Sequence, residues 1–261
     1  MEAYVRWLRL CDSLPNIGKE EAMNASKGLE LAVVMPIYNE AANISCVLCE
    51  WLYVLEKTGV RFELLALNDG SRDATHEILK ELAQNHSGKI IVVNKPNSGH
   101  GRSCRYGYEL ALNSPAQWVL QIDSDGQCDP DYFPTFWSRR ADADCVFGIR
   151  RTRGDGVARK LISKACGALS SLVAGVNVKD ANVPYRLMRK TALAQALAKV
   201  PPDFDVQNIA LTVALKRCPG LRWQYVPIHF RDRQGGVNSI NLPKIVRMGW
   251  TMLGELRKVQ P

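Results

Sequence analysis

Short apolar runs alternate with helical patterns over the first 150 residues of the chain. Five runs rich in Val, Ile and Leu have the length of buried strands and end in polar or turn-forming residues. They are LAVVMPI (31–37), FELLALN (62–68), KIIVVN (89–94), QWVLQI (117–122) and DCVFGI (144–149). Between them, apolar residues recur every three or four positions, most clearly from Ile44 to Leu55. Because strands that alternate with helices form sheets with crossover helices, the pattern predicts an α/β fold.

Small and polar residues follow four of these strands at once. The segments are PIYNE (36–40), NDGSRD (68–73), KPNSGHGR (95–102) and DSDGQCDP (123–130). Each segment alone is typical of ordinary turns and helix caps. Open α/β sheets, however, bind their ligands at the carboxyl ends of the strands. Four such segments at one rim of a sheet therefore predict a binding site.

Negative charge is concentrated just after the fourth strand. Asp123 and Asp125 repel each other unless a cation lies between them, and hard oxygen ligands of this kind suit Mg²⁺ or Mn²⁺. In a chain that stays extended, both carboxylates face the same side, and Gln127 can add a carbonyl oxygen. Since Mg²⁺ keeps open positions for phosphate oxygens, these residues predict a metal site that a diphosphate completes.

The charge of the whole chain adds a second expectation. Its 261 residues carry a net charge of +8, with a pI of about 9.1, which indicates an acidic partner. Residues 150–160 hold five positive charges against one negative charge, directly after the fifth strand. A solvated loop is one explanation. The other is a clamp for a phosphate group, to which arginine binds through two parallel hydrogen bonds.

Seven motifs together resemble glycosyltransferase family 2, which has the GT-A fold. They occur in the order of that family and cover about residues 30–240. They are VVMPIYNE, LNDGSRDAT, NSGHGRSCRYG, QIDSDGQCDP, FGIRRTRGDG, VKDANVPYRLMRK and VPIHFRDRQGGVNSI. Among the branches of the family, the chain is most similar to the polyprenyl-phosphate glycosyltransferases, the group of dolichyl-phosphate mannosyltransferase and its bacterial relatives. The resemblance implies a Rossmann-like, mixed and mostly parallel sheet flanked by helices.

The resemblance also implies a reaction and a donor site. The expected activity is a metal-dependent transfer of a hexose, with inversion, from a UDP- or GDP-linked sugar. Asp69 is expected to contact the base, and Ser124 stands between the two aspartates where relatives often have Ala. The donor site is implied to comprise Pro36, Tyr38, Glu40, Asp69, Asp123 and Ser124, with the metal held by Asp123, Asp125 and Gln127.

The acceptor implied by the resemblance is a polyprenyl phosphate. The residues implied to bind its phosphate are Arg150, Arg159, Arg231 and Arg233. Asp180, Asp125 and Arg159 form the implied catalytic set, in which Asp180 either orients the acceptor or acts as a base. The sequence departs from the family at residues 182–186, where relatives often have Thr-Ser-Gly-Phe-Arg, and at Gln207 and Asn208, where an acidic residue is frequent. These differences leave the acceptor and any general base open.

The expected organisation has three parts. Residues 1–29 form an N-terminal extension, residues 30–240 a catalytic domain and residues 241–261 a C-terminal amphipathic helix. A second cationic amphipathic helix is predicted at about 159–176, and the two helices are expected to contact the membrane surface. No run of 18 uncharged apolar residues is present. The expected location is therefore peripheral, on the cytoplasmic face of the membrane, and either a membrane-anchoring partner or a homo-oligomer stays open.

Three alternatives fit the sequence less well than this hypothesis. A family 2 enzyme with a soluble or saccharide acceptor shares the donor site, but needs a true base to activate a hydroxyl group. A basic nucleic-acid-binding or scaffold protein fits the charge but not the acidic rim, and no nucleic-acid partner is expected. A dinucleotide-binding dehydrogenase needs three glycines after the first strand. The pair Cys46 and Cys49 has the spacing CxxC, but it lacks the second pair of a zinc site and is expected to pack within a helix.

Overall fold

The computed structural model describes residues 28–150 except 87, residues 175 and 180, and residues 182–202 and 207–231. Its strands are β1 (Leu31–Ile37), β2 (Phe62–Asp69), β3 (Ile90–Lys95), β4 (Trp118–Gln121), β5 (Cys145–Arg150), β6 (Arg186–Arg189) and β7 (Trp223–Ile228). Its helices are α1 (Ile44–Thr58), α2 (Thr75–Asn85), α3 (His100–Asn113), α4 (Phe133–Arg139), α5 (Lys190–Leu197) and α6 (Gln207–Arg217), with a 3₁₀ turn at Pro130–Tyr132 before α4.

All seven strands form one sheet in the order β3-β2-β1-β4-β6-β5-β7. Strand β6 pairs antiparallel with both β4 and β5, and the other pairs are parallel. The predicted α/β fold with a mixed, mostly parallel sheet is confirmed. The five predicted strands lie within one residue of the observed ones at each end, while β6 and β7 were not foreseen.

Burial on both faces explains why the first strands read as continuous apolar runs. All seven residues of β1 are buried, because β1 lies between β2 and β4 and helices cover the sheet. Helix α1 presents a buried stripe that includes Ile44, Leu48, Trp51 and Leu55. Parallel pairing of β1 with β2 and β4 brings their carboxyl ends to the same rim of the sheet.

Gly107 sets how closely α3 packs against the sheet. A Cβ atom at this position would lie 2.5 Å from Leu67 Cδ1 and would also overlap Val34. Only glycine allows the helix backbone to come this near to β1 and β2. The close contact fixes α3, and with it the first turn of the helix at the rim where β1 and β2 end.

Cys46 and Cys49 lie on α1 as predicted, but the expectation that they pack within it is wrong. Both side chains are exposed, because they alternate with the buried stripe of the helix. The predicted N-terminal extension and the predicted amphipathic helices at 159–176 and 241–261 lie outside the described residues, apart from the ends at 28–29 and Gly175. Within the described ranges, no helix is long and apolar enough to cross a membrane.

Candidate active site

A pocket of about 310 Å³ opens at the rim where the parallel strands end. Its walls come from the segments that follow β1, β2, β3 and β4, so the four polar strand ends meet in one cavity. The lining residues are Pro36, Ile37, Tyr38, Glu40, Asp69, Asn97, Gly99, His100, Ser103, Asp123, Ser124 and Asp125. The pocket thus brings together all six residues expected at the donor site and one further expected metal ligand. Gln127 does not line it.

The loop after β1 is fixed by hydrogen bonds to the loop after β2. Asn39 adopts a left-handed conformation (φ 54°), and its Oδ1 accepts a hydrogen bond from the backbone N–H of Arg72 at 2.8 Å. In return, the N–H of Asn39 donates to Ser71 Oγ at 3.0 Å, and the N–H of Glu40 donates to Thr75 Oγ1 at 2.9 Å. These bonds hold the neighbouring Tyr38 at the pocket, with 44% of the residue exposed. An aromatic ring held in this way can stack on a planar base.

Asp69 is buried beneath the pocket and organises the start of α3. Its two carboxylate oxygens accept hydrogen bonds from the backbone N–H groups of Ser98 and Gly99, each at 2.9 Å. Oδ1 also forms an ion pair with Lys95, whose Nζ donates to Ser103 Oγ at 3.1 Å. Burial raises the pKa of Asp69, but the hydrogen bonds from Lys95 and Ser98 outweigh it and bring the pKa below its usual value. The carboxylate therefore fixes the two residues that directly precede α3, and base contact by Asp69 stays a prediction.

The acidic segment leaves the sheet earlier than the sequence pattern suggested. Strand β4 ends at Gln121, so the alternation of an extended strand does not apply to the residues that follow. Asp123, Ser124 and Asp125 nevertheless all line the pocket. A turn explains this arrangement, since Asp125 Oδ1 accepts a hydrogen bond from the backbone N–H of Gln127 at 3.1 Å.

Gln127 contacts the segment after β7. Its Nε2 donates to the backbone oxygen of Arg231 at 3.3 Å, and its own backbone oxygen accepts from the N–H of Arg231 at 3.2 Å. These two contacts join the acidic segment to the end of the sheet. Gln127 does not line the pocket with Asp123 and Asp125, and metal binding by Gln127 stays a prediction.

His100 is a site residue that the sequence did not reveal. Its Nε2 lies 3.0 Å from Asp123 Oδ1, and the imidazole forms part of the pocket wall. Cys104, one helical turn further on, lies 3.8 Å from both ring nitrogens. The only signal for His100 in the sequence was its place at the start of a helix beside the predicted rim.

The acidic residues fit a divalent cation whose coordination is completed by a second ligand. Two carboxylates at one pocket supply hard oxygen atoms, the chemistry that Mg²⁺ and Mn²⁺ prefer. The described part of the chain holds no group of three or more His, Cys, Asp or Glu side chains placed to bind a metal. The donor set therefore matches a partial site for an ion that keeps positions for phosphate oxygens, rather than a closed structural site.

Two of the predicted acceptor residues contact each other. Arg150 Nε donates to Asp180 Oδ2 at 2.8 Å, and Nη2 forms an ion pair with the other oxygen. The backbone N–H of Arg150 also donates to Oδ2, at 3.2 Å. Asp180 has a positive φ of 39°, so the pair is held by a strained residue. The Arg150 guanidinium lies 5.5 Å from the ring centre of Phe230.

Arg231 is bound by carboxylates on two other segments. Nη1 lies 2.5 Å from Glu50 Oε2, and Nη2 lies 2.7 Å from Asp129 Oδ1. Burial lowers the pKa of Arg231, but the hydrogen bonds that Arg231 donates to Asp129 and Glu50 outweigh it and raise the pKa above its usual value. Arg231 thus ties the segment after β7 to α1 and to the acidic segment. The other two arginines of the predicted set, Arg159 and Arg233, lie outside the described residues.

Comparison with curated proteins finds relatives that act on a lipid phosphate. A match of 24% identity links the chain to the undecaprenyl-phosphate 4-deoxy-4-formamido-L-arabinose transferase of Pectobacterium atrosepticum. The enzyme of the same name from Edwardsiella ictaluri is 23% identical. Each match extends over 225 residues, 85% of this chain and 66% of the relative. The matched part is therefore slightly less than two thirds of each relative.

Comparison with solved structures confirms the GT-A fold. One similar structure is glucosyl-3-phosphoglycerate synthase from Mycobacterium tuberculosis in complex with Mn²⁺, UDP-glucose and phosphoglyceric acid. It superposes on this chain with a TM-score of 0.63 at 20% identity, and the match covers 95% of this chain and 86% of that one. The same enzyme with Mg²⁺ and UDP gives 0.64 at 19% identity, over 94% and 85%. Residues 32–196, more than half of the chain, match the family described as glycosyl transferase family 2. The chain belongs to glycosyl transferase family 2.

Proposed function

We propose that this protein transfers a hexose from a nucleotide-diphosphate sugar to a polyprenyl phosphate, with inversion at the anomeric carbon. The observation that carries the proposal is the single pocket in which Tyr38 and Glu40, after β1, meet Asp123 and Asp125, after β4. An aromatic face and a pair of carboxylates along one rim suit the two ends of a nucleoside diphosphate. The names of the curated relatives support a polyprenyl phosphate as acceptor.

The donor is expected to lie along the rim of the sheet. Its base and ribose occupy the side formed by Pro36, Tyr38 and Glu40, and its diphosphate lies beside Asp123 and Asp125. These two aspartates would hold Mg²⁺ or Mn²⁺, which stabilises the charge of the leaving diphosphate. Ser124 supplies a hydroxyl group between them. The cavity volume of about 310 Å³ is at the lower end of the range for small-molecule sites.

The reaction needs no strong general base. The phosphate of a lipid monophosphate has a second pKa near ~6, so it is mostly a dianion at neutral pH and can itself attack the sugar. A bond forms between a phosphate oxygen and the anomeric carbon, while the bond from that carbon to the donor diphosphate breaks. The protein has to place the two substrates in line and to stabilise an oxocarbenium-like transition state. No proton has to be removed from the acceptor.

The contacts of Asp180 support a positioning role. A carboxylate that accepts two hydrogen bonds from a guanidinium is a poor proton acceptor, because the positive charge stabilises its ionised form. The pair uses Nε and one N–H of Nη2, and a guanidinium has five N–H donors, so further donors of Arg150 remain for an acceptor phosphate. Asp180 would therefore hold Arg150 in place, with Arg159, Arg231 and Arg233 as the other proposed phosphate ligands.

The lipid acceptor places the reaction at a membrane surface. The proposed location is the cytoplasmic face, where nucleotide sugars are available to a peripheral enzyme. The predicted cationic amphipathic helices at 159–176 and 241–261 would supply the contact with anionic lipids. A membrane-anchoring partner and a homo-oligomer are alternative ways to hold the enzyme there.

Calorimetric titration of UDP and of GDP, each with and without Mn²⁺, tests the donor site. We expect one nucleotide to bind in the presence of Mn²⁺ and Asp125→Asn to lose most of that binding. Asp131→Asn is the matched control, because Asp131 is an exposed carboxylate on the same segment that does not line the pocket. Failure of the folded protein to bind either nucleotide would refute the proposal.

A transfer assay tests the acceptor. The protein is incubated with a labelled nucleotide sugar that carries the base identified by calorimetry. The acceptor is either detergent-solubilised polyprenyl phosphate or a simple saccharide. Label recovered in the lipid phase supports the proposed acceptor. Transfer to a saccharide only would instead identify a family member with a soluble acceptor, and would leave the donor site intact.

A further inference from the structure

The geometry points to His100 as a positioning residue for Asp123, an inference that rests on the proposed function of the pocket. The imidazole Nε2 lies 3.0 Å from Asp123 Oδ1, and both side chains line the pocket. An ionised carboxylate only accepts hydrogen bonds, so Nε2 carries the proton of this bond. The bond occupies Oδ1 and directs Oδ2 towards a cation or a water molecule in the pocket. His100 would thus act on the donor diphosphate through Asp123.

Asp123 is the group that most needs such support. It lies two residues beyond the end of β4, outside the hydrogen-bond ladder that fixes the strands, and 28% of its side chain is exposed. A carboxylate on an irregular segment samples several rotamers, whereas a metal ligand must hold one orientation. The hydrogen bond to His100 connects Asp123 to a helix, across a sequence separation of 23 residues.

Buried side chains on the core side hold the imidazole in place. Cys104 Sγ lies 3.8 Å from both ring nitrogens, so the sulfur packs against the ring rather than bonding one nitrogen. Gln121 Nε2 lies 3.7 Å from the same sulfur, and Gln121 Oε1 accepts a hydrogen bond from Tyr108. Cys104, Gln121 and Tyr108 are fully buried. A continuous series of contacts therefore leads from the core to a ring that is 52% exposed in the pocket.

The helix that carries His100 is also held at two points. Gly107 lets α3 pack directly on β1 and β2. Asp69 accepts hydrogen bonds from the N–H groups of Ser98 and Gly99, immediately before His100. The histidine is thus attached to a rigid element, which is the condition under which a supporting hydrogen bond can orient a ligand. Loss of such supporting partners typically lowers metal affinity by about 10- to 100-fold.

Two substitutions of His100 separate the hydrogen bond from the bulk of the ring. His100→Gln places an amide Nε2–H near the position of the imidazole donor, while His100→Leu keeps an apolar side chain of similar length without a donor. His86→Leu is the matched control, since His86 ends α2, away from the pocket. Thermal unfolding and circular dichroism establish that each variant is folded. His100→Asn, whose shorter amide does not reach Asp123, replaces His100→Leu if the latter fails to fold.

Binding of Mn²⁺ is the readout, measured by electron paramagnetic resonance with Mn²⁺ alone and with Mn²⁺ plus UDP or GDP. We expect His100→Leu to weaken Mn²⁺ binding by roughly 10-fold or more, His100→Gln to restore it to within ~3-fold of the wild type, and His86→Leu to leave it unchanged. Nucleotide binding without metal should be the same in all four proteins. Equal Mn²⁺ affinity in His100→Leu and the wild type, or equal losses in His100→Gln and His100→Leu, would overturn the inference.

The two proposals fail in different ways. If the wild type binds Mn²⁺ and a nucleotide but the His100 variants do so equally well, only the role of His100 is wrong. If the folded wild type binds neither Mn²⁺ nor a nucleotide, the proposed donor site is wrong, and the inference about His100 falls with it.

Discussion

Glu63 should make the stability of the fold depend on pH near neutrality. It is the second residue of β2, at the end of the strand opposite the pocket, and only 4% of it is exposed. Burial raises its pKa from 4.5 to about 7, although Ser114 and Lys190 partly oppose the shift. Its Oε1 has no hydrogen-bond partner within the described structure. The folded protein therefore favours the protonated form of this carboxyl group.

The sign and the size of the effect follow from the two pKa values. Between pH 4.5 and about 7 the folded protein keeps the proton of Glu63 and the unfolded chain has lost it, so the free energy of unfolding falls as the pH rises. A shift of about 2.5 units at ~1.4 kcal/mol per unit corresponds to a loss of roughly 3 kcal/mol across this window. Below pH 4.5 the contribution is fully present. Above pH 7 it is absent.

Urea denaturation of the wild type and of Glu63→Gln at pH 5 and pH 8 measures this contribution. The substitution removes the titrating group and adds a cost for the buried amide that does not depend on pH. The informative quantity is therefore the difference in unfolding free energy between the wild type and Glu63→Gln, compared at the two pH values. We expect this difference to move by about 3 kcal/mol in favour of Glu63→Gln as the pH rises. Glu81→Gln, on the exposed side of α2, is the control. A difference that stays constant between the two pH values would refute the assignment of a raised pKa.

Four further predictions test the fold and the proposed acceptor site. Gly107→Ala should lower the free energy of unfolding by about 1–3 kcal/mol in urea denaturation, since its Cβ overlaps the sheet; unchanged stability would contradict this packing. Asp69→Asn should cost about 3 kcal/mol in the same assay at pH 7, because it leaves Lys95 without its charge partner. A smaller loss than that of Gly107→Ala would count against the stabilising role of this ion pair. Arg150→Ala should raise the KM for polyprenyl phosphate about 10-fold or more with no change in the Kd of the nucleotide. Asp180→Asn should slow transfer without altering the pH–rate profile, and loss of the acidic limb of that profile would instead identify Asp180 as a base.

The sequence predicted those strands whose residues are apolar on both faces. Strand β1 illustrates this, because all of its residues are buried and all are apolar. Strand β6 has the opposite character. Arg186 lies in the middle of the sheet, fully buried, and donates to the backbone oxygens of Val183 at 2.6 Å and Asn208 at 2.8 Å. A buried arginine whose hydrogen bonds go to backbone carbonyl groups leaves no periodic signal, so β6 could not be predicted from the pattern.

The candidate site divides in the same way. The positions of Tyr38, Asp69 and Asp123 follow from strand ends, which are local features, and the structure brings them into one pocket. The partners of those residues depend on tertiary contacts. Hydrogen bonds join Asp69 to the N–H groups just before α3, and His100 to Asp123, between segments of different crossover units. Sequence spacing therefore indicates where the site lies, but not which of its side chains already form hydrogen bonds with other residues.

The pairing of the arginines changes how the charge of the chain should be understood. A net charge of +8 indicates an acidic partner, and a diffuse basic surface would attract any polyanion. In the described part of the acceptor side, however, Arg150 is bound to Asp180, and Arg231 to both Glu50 and Asp129. Carboxylates that neutralise these side chains weaken long-range attraction while they fix the directions of the remaining N–H donors. A ligand gains from such a site only if its oxygens match those directions, as those of a phosphate monoester can. The proposed acceptor side is thus suited to recognition of one phosphate group by geometry, and binding there should depend less on salt than binding to an unpaired basic patch would.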